Sequence, residues 1–137
     1  MINADYLFVY GTLRRDSRHE MYRLLARNAA FVGDATFQGR LYLVDDFPGA
    51  VKSSSPEDSI HGEVYCLERS EQVLPRLDDY EEFDPQSPDT SLYRREKAIV
   101  LLDDTTPVDA WIYLYNRPTV GLRPILSGDF LQIASNR

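Results

Sequence analysis

A chain of 137 residues with 15 Lys and Arg against 22 Asp and Glu carries a formal net charge of −7. That argues against nucleic acid as a partner, because such binding needs a basic footprint. A single cysteine, Cys66, and two histidines exclude an intrachain disulfide and the usual four-ligand zinc site. The length suits a single domain, residues 1–137, able to bury a core without either device.

In chain order, "YLFVYGT" reads as a first strand buried on both faces, since it does not alternate. In "HEMYRLLARNA", Met21, Leu24 and Leu25 recur at helical spacing and Asn28 is a stop signal. The basic residues around this point, Arg14, Arg15 and Arg18 with Arg23 and Arg27 beyond, read as a solvated helix face. "AFVGDATFQGRLYLVDD" is strand-like, and Gly33 and Gly39 within it mark bulges or sharp curvature. "FPGAVKSSSPEDS" is a turn, a short strand and a polar loop. "IHGEVYCLE" alternates, with Ile60, Gly62, Val64 and Cys66 on one face and His61, Glu63, Tyr65 and Leu67 on the other. His61 and Glu63 are expected at a surface cross-strand position and Cys66 as a small core residue.

"SEQVLPRLDDYEEF" reads as a helix with Ser70 as N-cap and Glu71 in the first turn. Pro75 is expected to kink it or to lie within its first turn. "FDPQSPDTS" is a loop. "LYRREKAIVLL" and "VDAWIYLYN" form a hairpin across "DDTTP", and Trp111 and Tyr113 on one face of its second strand read as core. The tail is irregular. The whole pattern predicts an α+β fold: a small, bent, mixed but mostly antiparallel sheet, closed into a barrel, with two or three short helices. "MINADYLFVYGT" carries only a short apolar run, and nothing approaches the ~20 apolar residues of a membrane span. A cytoplasmic protein with no membrane partner is the expectation.

Two stretches bear on chemistry. Tyr10-Gly11-Thr12-Leu13 sits at a strand end, where Gly11 has access to φ > 0 or lets a ligand approach the backbone. Consecutive N–H groups in such a turn suit a small carboxylate. The Gly-Lys-Ser/Thr ending of a phosphate loop is missing, and a plain strand–helix turn explains the same residues. The second stretch, "LDDYEEFD", holds five acids in seven positions without the glycine of a calcium loop. At a helix end Asp78 shares a face with Glu81 and Glu82, so some acids turn inward if Leu77 and Tyr80 pack. A lone buried carboxyl has a raised pKa and can carry a proton. A solvated acidic helix end is the alternative.

"FVYGTLRRD", "HGEVYCL", "RLDDYEEF", "SLYRREKAIV", "WIYLYNRP" and "SGDFL" occur in the order seen in the γ-glutamylcyclotransferase-like superfamily, which the chain resembles over nearly its whole length. The likeness is greatest to γ-glutamylamine cyclotransferase-like and bacterial members. It implies a small α+β domain around a bent barrel and no cofactor or metal. It also implies a small-molecule γ-glutamyl substrate whose α-carboxylate and α-amine meet the loop Tyr10, Gly11, Thr12 and Leu13. The Glu of Leu-Asp-x-x-Glu falls on Glu81, the implied general base and acid, and Tyr93 falls near the pocket. Where the family often has Gly after that glutamate, this chain has Glu82.

The implied reaction is attack of the substrate's own α-amine on its γ-carbonyl, closing 5-oxoproline and expelling an amine or amino acid. Freezing the reactive rotamer supplies effective molarities of about 10⁵–10⁸ M. An ordinary Glu falls roughly 3.5 pH units short of an α-ammonium near 8, or about 5 kcal/mol. Burial that lifts Glu81 to about 6–7 removes most of that gap. Glu81 is therefore expected in an apolar pocket walled by Tyr10, Tyr80, Tyr93 and Tyr113. Two other readings stand beside it. One is a non-catalytic module for a γ-glutamyl or other carboxylate ligand. The other is a two-carboxylate glycosidase using Asp78 or Glu82 with Glu81. The leaving group and the oligomeric state are not legible.

Overall fold

The computed structural model describes residues 5–11, 13, 20–103 and 105–130. Thr12 and the basic residues Arg14, Arg15 and Arg18 lie outside these. Strand β1 (Asp5–Val9) runs antiparallel to β5 (Ile60–Leu67) and parallel to β7 (Thr106–Tyr115), the latter through Leu7 opposite Trp111. With neighbours on both edges and side chains packed on both faces, Leu7, Phe8 and Val9 are all buried, which explains why the segment does not alternate. Strands β2 (Ala29–Phe37) and β6 (Tyr93–Leu102) complete a closed barrel of order β1-β5-β2-β6-β7. A second sheet, β4-β3-β8, stacks beside it from Phe47–Lys52, Gly39–Val44 and Arg123–Pro124.

The expected α+β, mostly antiparallel barrel is therefore found, with the helices α1 and α2 and a 3₁₀ turn at Pro88–Thr90 among the described residues. Its interior holds Phe8, Tyr10, Phe37, Ile60, Val64, Val100 and Ile112. The outer face, carrying Leu7, Val9, Tyr65, Tyr93 and Tyr113, packs with α1 (Glu20–Asn28) and α2 (Ser70–Tyr80). The predicted disturbance at Gly33 is a register shift between Phe31 and Gly33 in the β2–β5 pairing. Among the described residues no helix is long and apolar enough to cross a membrane.

Several local expectations are corrected. The N-cap of α2 is Arg69 rather than Ser70, with no side-chain cap bond. The Glu68 N–H is drawn to the Asn28 carbonyl at 2.9 Å, and the Arg69 carbonyl accepts from Gln72 and Val73, so helical bonding starts one residue early. Pro75 sits in the second turn and is exposed. Glu63 is not at the surface but 1 % exposed, accepting a 3.2 Å bond from Tyr65 Oη. Its outward-facing strand side lies in the layer packed by the helices, whereas His61 stays exposed. Cys66, near the end of β5, is half-buried.

The end of α2 is fixed by its backbone bonding. Glu81 is the C-cap, and Glu82 beyond it adopts φ 55°. Phe83 N–H bonds the Asp78 carbonyl at 2.8 Å and Glu82 N–H bonds that of Asp79 at 3.2 Å. These are the paired bonds of a Schellman turn, whose left-handed position glycine takes without cost. The position after Glu81, where the resemblance leads one to expect Gly, is thus occupied by Glu82 in the left-handed region.

Candidate functional site

The end of α2 and the residues following β1 open onto one cavity of about 210 Å³. That is roughly seven waters' share of liquid volume, enough for an amino-acid-sized group. Tyr10, Gly11 and Leu13 line it from the β1 side, Tyr80, Glu81 and Glu82 from α2, Tyr93 and Tyr113 from the barrel wall, and Leu92 from just before β6. Glu81 and the loop at Gly11 meet there despite some 70 intervening residues. All four tyrosines expected as walls are present. Thr12 lies outside the described residues.

A further side of the cavity is not legible in the sequence. Val44, Asp45, Phe47 and Pro48, at the tip of the β3–β4 hairpin, close over it. Pro48 also explains Gly11. The glycine does not adopt a positive φ, contrary to one expectation for it. Instead a Cβ there would lie 2.7 Å from Pro48 Cγ. Close approach is thus the reason for glycine, and the approaching group is the protein's own hairpin.

The tyrosine hydroxyls are committed to the protein. Tyr10 donates to the Tyr113 carbonyl and accepts from the Ala50 N–H at 3.3 Å. Tyr93 donates to the Pro48 carbonyl at 2.8 Å. Tyr113 donates to Asp78 Oδ1 at 2.7 Å. Burial, the Glu81 carboxyl and their other acidic neighbours hold the Tyr10, Tyr93 and Tyr113 hydroxyls above the ordinary phenol value, so all three stay protonated as fixed donors.

The acids divide sharply. Asp78 is buried and forked by Arg95, with Nε to Oδ1 at 2.8 Å and Nη2 to Oδ2 at 3.1 Å. It is therefore engaged structurally and unavailable as one carboxylate of a glycosidase pair. Glu82 is exposed at the rim. Glu81 lines the cavity and has no hydrogen-bonding or ionic partner for its carboxyl among the described residues. The protein packed around it desolvates the carboxyl and pushes it up to about 8. Its place at the negative end of a helix works in the same direction. The value is higher than the 6–7 that the chemistry demanded. Raised that far, the carboxyl lies much nearer an α-ammonium than an ordinary Glu does, which removes most of the roughly 3.5-unit gap. Among the described residues no group of three or more His, Cys, Asp or Glu gathers to hold a metal.

With that geometry in view, the likeness to known proteins is informative. The chain is 32% identical over 126 residues to the γ-glutamylcyclotransferase family protein YtfP of Escherichia coli (strain K12), covering 91% of this chain and 95% of that one. It is 33% identical over 115 residues to the γ-L-glutamyl-butirosin B γ-glutamyl cyclotransferase of Niallia circulans, covering 81% and 67%. The solution structure of ytfP from Escherichia coli superposes with a TM-score of 0.63 at 31% identity, over 94% of this chain and 98% of that one. Residues 7–132 match the family described as γ-glutamyl cyclotransferase, AIG2-like. With that match running over almost the full length, the chain belongs to the γ-glutamyl cyclotransferase, AIG2-like family.

Proposed function

We propose that this cavity cyclises a γ-glutamyl group to 5-oxoproline and releases an amine or amino acid, with Glu81 as base and then acid. The observation that carries the reading is the Glu81 carboxyl. It lines the cavity wall, has no partner among the described residues, and is pushed up to about 8 by burial, while the Tyr10, Tyr93 and Tyr113 hydroxyls around it are already bonded within the protein. The backbone at Tyr10, Gly11 and Leu13 receives the substrate α-carboxylate, with Thr12 in the same loop, and the Tyr93 ring bounds the glutamyl chain. The ionised Glu81 takes a proton from the α-ammonium. The freed amine forms a bond to the γ-carbon, the bond from that carbon to the leaving nitrogen breaks, and Glu81 returns its proton to that nitrogen; the second proton, shed by the ring nitrogen as it becomes an amide, follows by way of Glu81, so the released amine departs as its ammonium. No water is consumed and no redox change occurs.

The experiment is mass-spectrometric detection of 5-oxoproline from a panel of γ-glutamyl compounds, with wild type, Glu81→Gln and Glu82→Gln. Gln keeps size but accepts no proton, so turnover falls by about 10²–10⁴ in Glu81→Gln while binding persists. Glu82→Gln has a far smaller effect. Wild-type activity rises with pH through about 8 as Glu81 ionises. Binding without release of 5-oxoproline from any compound would leave the non-catalytic module instead. Loss of turnover in Glu82→Gln but not in Glu81→Gln would move the shuttle by one residue.

A further inference from the structure

The stretch carrying Glu81 is gripped from beneath by one side chain. Arg95, on β6, forks onto Asp78, three residues before Glu81. The same guanidinium lies 6.0 Å from the ring centroid of Phe83, two residues after Glu81, and 4.4 Å from that of Trp111. The pair is well removed from water, with side chains 15% and 5% exposed. Tyr113 adds a third tie by donating to Asp78, and its carbonyl accepts from Tyr10 on the opposite wall.

A buried ion pair gains little stability over an apolar pair of equal volume, because desolvation offsets the attraction. What this one supplies is geometry. A charge pair can be met in one orientation only, and a planar fork stacked on indole is more restrictive still. We propose that Arg95 is a positioning residue, holding the turn at the end of α2 at Asp78 and at Phe83 so that the Glu81 carboxyl between them stays inside the cavity. The inference rests on the cyclotransferase reading for its kinetic consequence, although the clamp itself is a statement about structure.

The clamp also bears on the proton. Released from it, the turn swings Glu81 toward water, and a hydrated carboxyl ionises more readily. The other titratable groups facing Glu81 are Tyr10 from β1, Tyr93 from β6, Tyr113 from β7, Asp45 from the β3–β4 tip, and Tyr80 and Glu82 from its own helix end. Burial holds the Tyr10, Tyr93 and Tyr113 hydroxyls protonated, and Asp78, three residues before Glu81 and left without its Arg95 partner, would favour the protonated Glu81. None of them accounts for a downward displacement when Arg95 is changed.

The test uses Arg95→Met, Arg95→Lys and Phe83→Ala, the last leaving the ion pair in place. Two readouts are needed: kcat and KM against pH on a γ-glutamyl alkylamide, and carbon-13 NMR titration of the Glu81 carboxyl. In Arg95→Met, kcat falls about 10–100-fold, the loss typical of a misplaced catalytic group, with KM within about threefold. The acid limb and the Glu81 titration both move down by about one pH unit or more. Lys restores part of each, and Phe83→Ala shifts both in the same direction by less. A role confined to folding predicts less active protein with an unmoved acid limb, and that result overturns the proposal. Should Arg95→Met fail to fold, an unmoved Glu81 titration in folded Arg95→Lys and Phe83→Ala overturns it equally. Wild type that releases no 5-oxoproline while the variants still shift the titration would refute the reaction and leave the clamp standing.

Discussion

Replacing Glu81 by Gln has a consequence for stability that is independent of any substrate. In the folded protein the Glu81 carboxyl ionises at about 8, against an ordinary 4.5. Between those values the folded state holds a proton that the unfolded chain gives up. Stability contributed by the neutral carboxyl is therefore fully present below about 4.5 and is lost as pH rises through about 8. At 1.36 kcal/mol per pH unit, the full displacement is worth up to about 5 kcal/mol. The cavity mouth admits water and an ionised side chain can relax toward it, so about 2–3 kcal/mol is the expected loss. Gln has the same size and never ionises, so its own cost is the same at every pH. Urea denaturation of both proteins at pH 5, 7 and 9 isolates the carboxyl. The advantage of Glu81→Gln over wild type grows by about 2–3 kcal/mol from pH 5 to pH 9, a midpoint change of about 1–2 M urea at ordinary slopes. Stability curves that stay parallel within about 0.5 kcal/mol would show that Glu81 titrates as an ordinary surface acid, and the proton-shuttle reasoning would fail with it.

Glu82→Gly relieves the left-handed backbone at φ 55° and raises stability by about 1 kcal/mol, seen as a melting temperature higher by about 2–5 °C; an unchanged or lower value refutes the strain. Gly11→Val drives a side chain into Pro48, costs about 1–3 kcal/mol by overpacking and raises KM; unchanged stability and KM in the variant would contradict the close approach. Asp45 and Glu82 are both acidic and both at the cavity rim. Each contributes about 0.5–1 kcal/mol toward a cation at contact range near the surface. A γ-glutamyl diamine should therefore be turned over about 5–10-fold more efficiently than a γ-glutamyl dipeptide ending in carboxylate, with the ratio shrinking at high salt. A ratio of one, or a preference for the anion, counts against the rim as a charge filter.

Much of the barrel is legible because short-range pattern and long-range packing agree. β1 is a continuous apolar run, β5 broadly alternates, and β6 and β7 are adjacent along the chain with a turn between them. The closing contact is different in kind. Leu7 and Trp111 are about 100 residues apart and parallel, and no local pattern encodes which strand lies next to which. The same holds for the site. Glu81 can be singled out from helical spacing and the ordered family segments, and the four tyrosines follow from needing apolar walls. Pro48 and Asp45 come from a hairpin that reads only as a turn. The Asp78–Arg95 pair joins one acid among five to one of two adjacent arginines, Arg94 and Arg95, a choice made by strand register alone. The Ser70 cap misleads because a good capping residue competes with a tertiary bond from Glu68 that sets the helix start.

The β3–β4 hairpin belongs to the small second sheet, not to the barrel that carries Glu81. Val44 pairs with Phe47, so its tip is only Asp45 and Asp46. That separation divides the labour between two pieces of architecture. On the cyclotransferase reading proposed above, the barrel and α2 face the reacting end of the substrate, while the hairpin tip, anchored at its base where Tyr93 bonds Pro48, faces the leaving group. Residues added at that tip lengthen the lip without altering a single strand pairing. On that same reading, changes at the tip would exchange one leaving group for another while the end that carries Glu81 stays as it is.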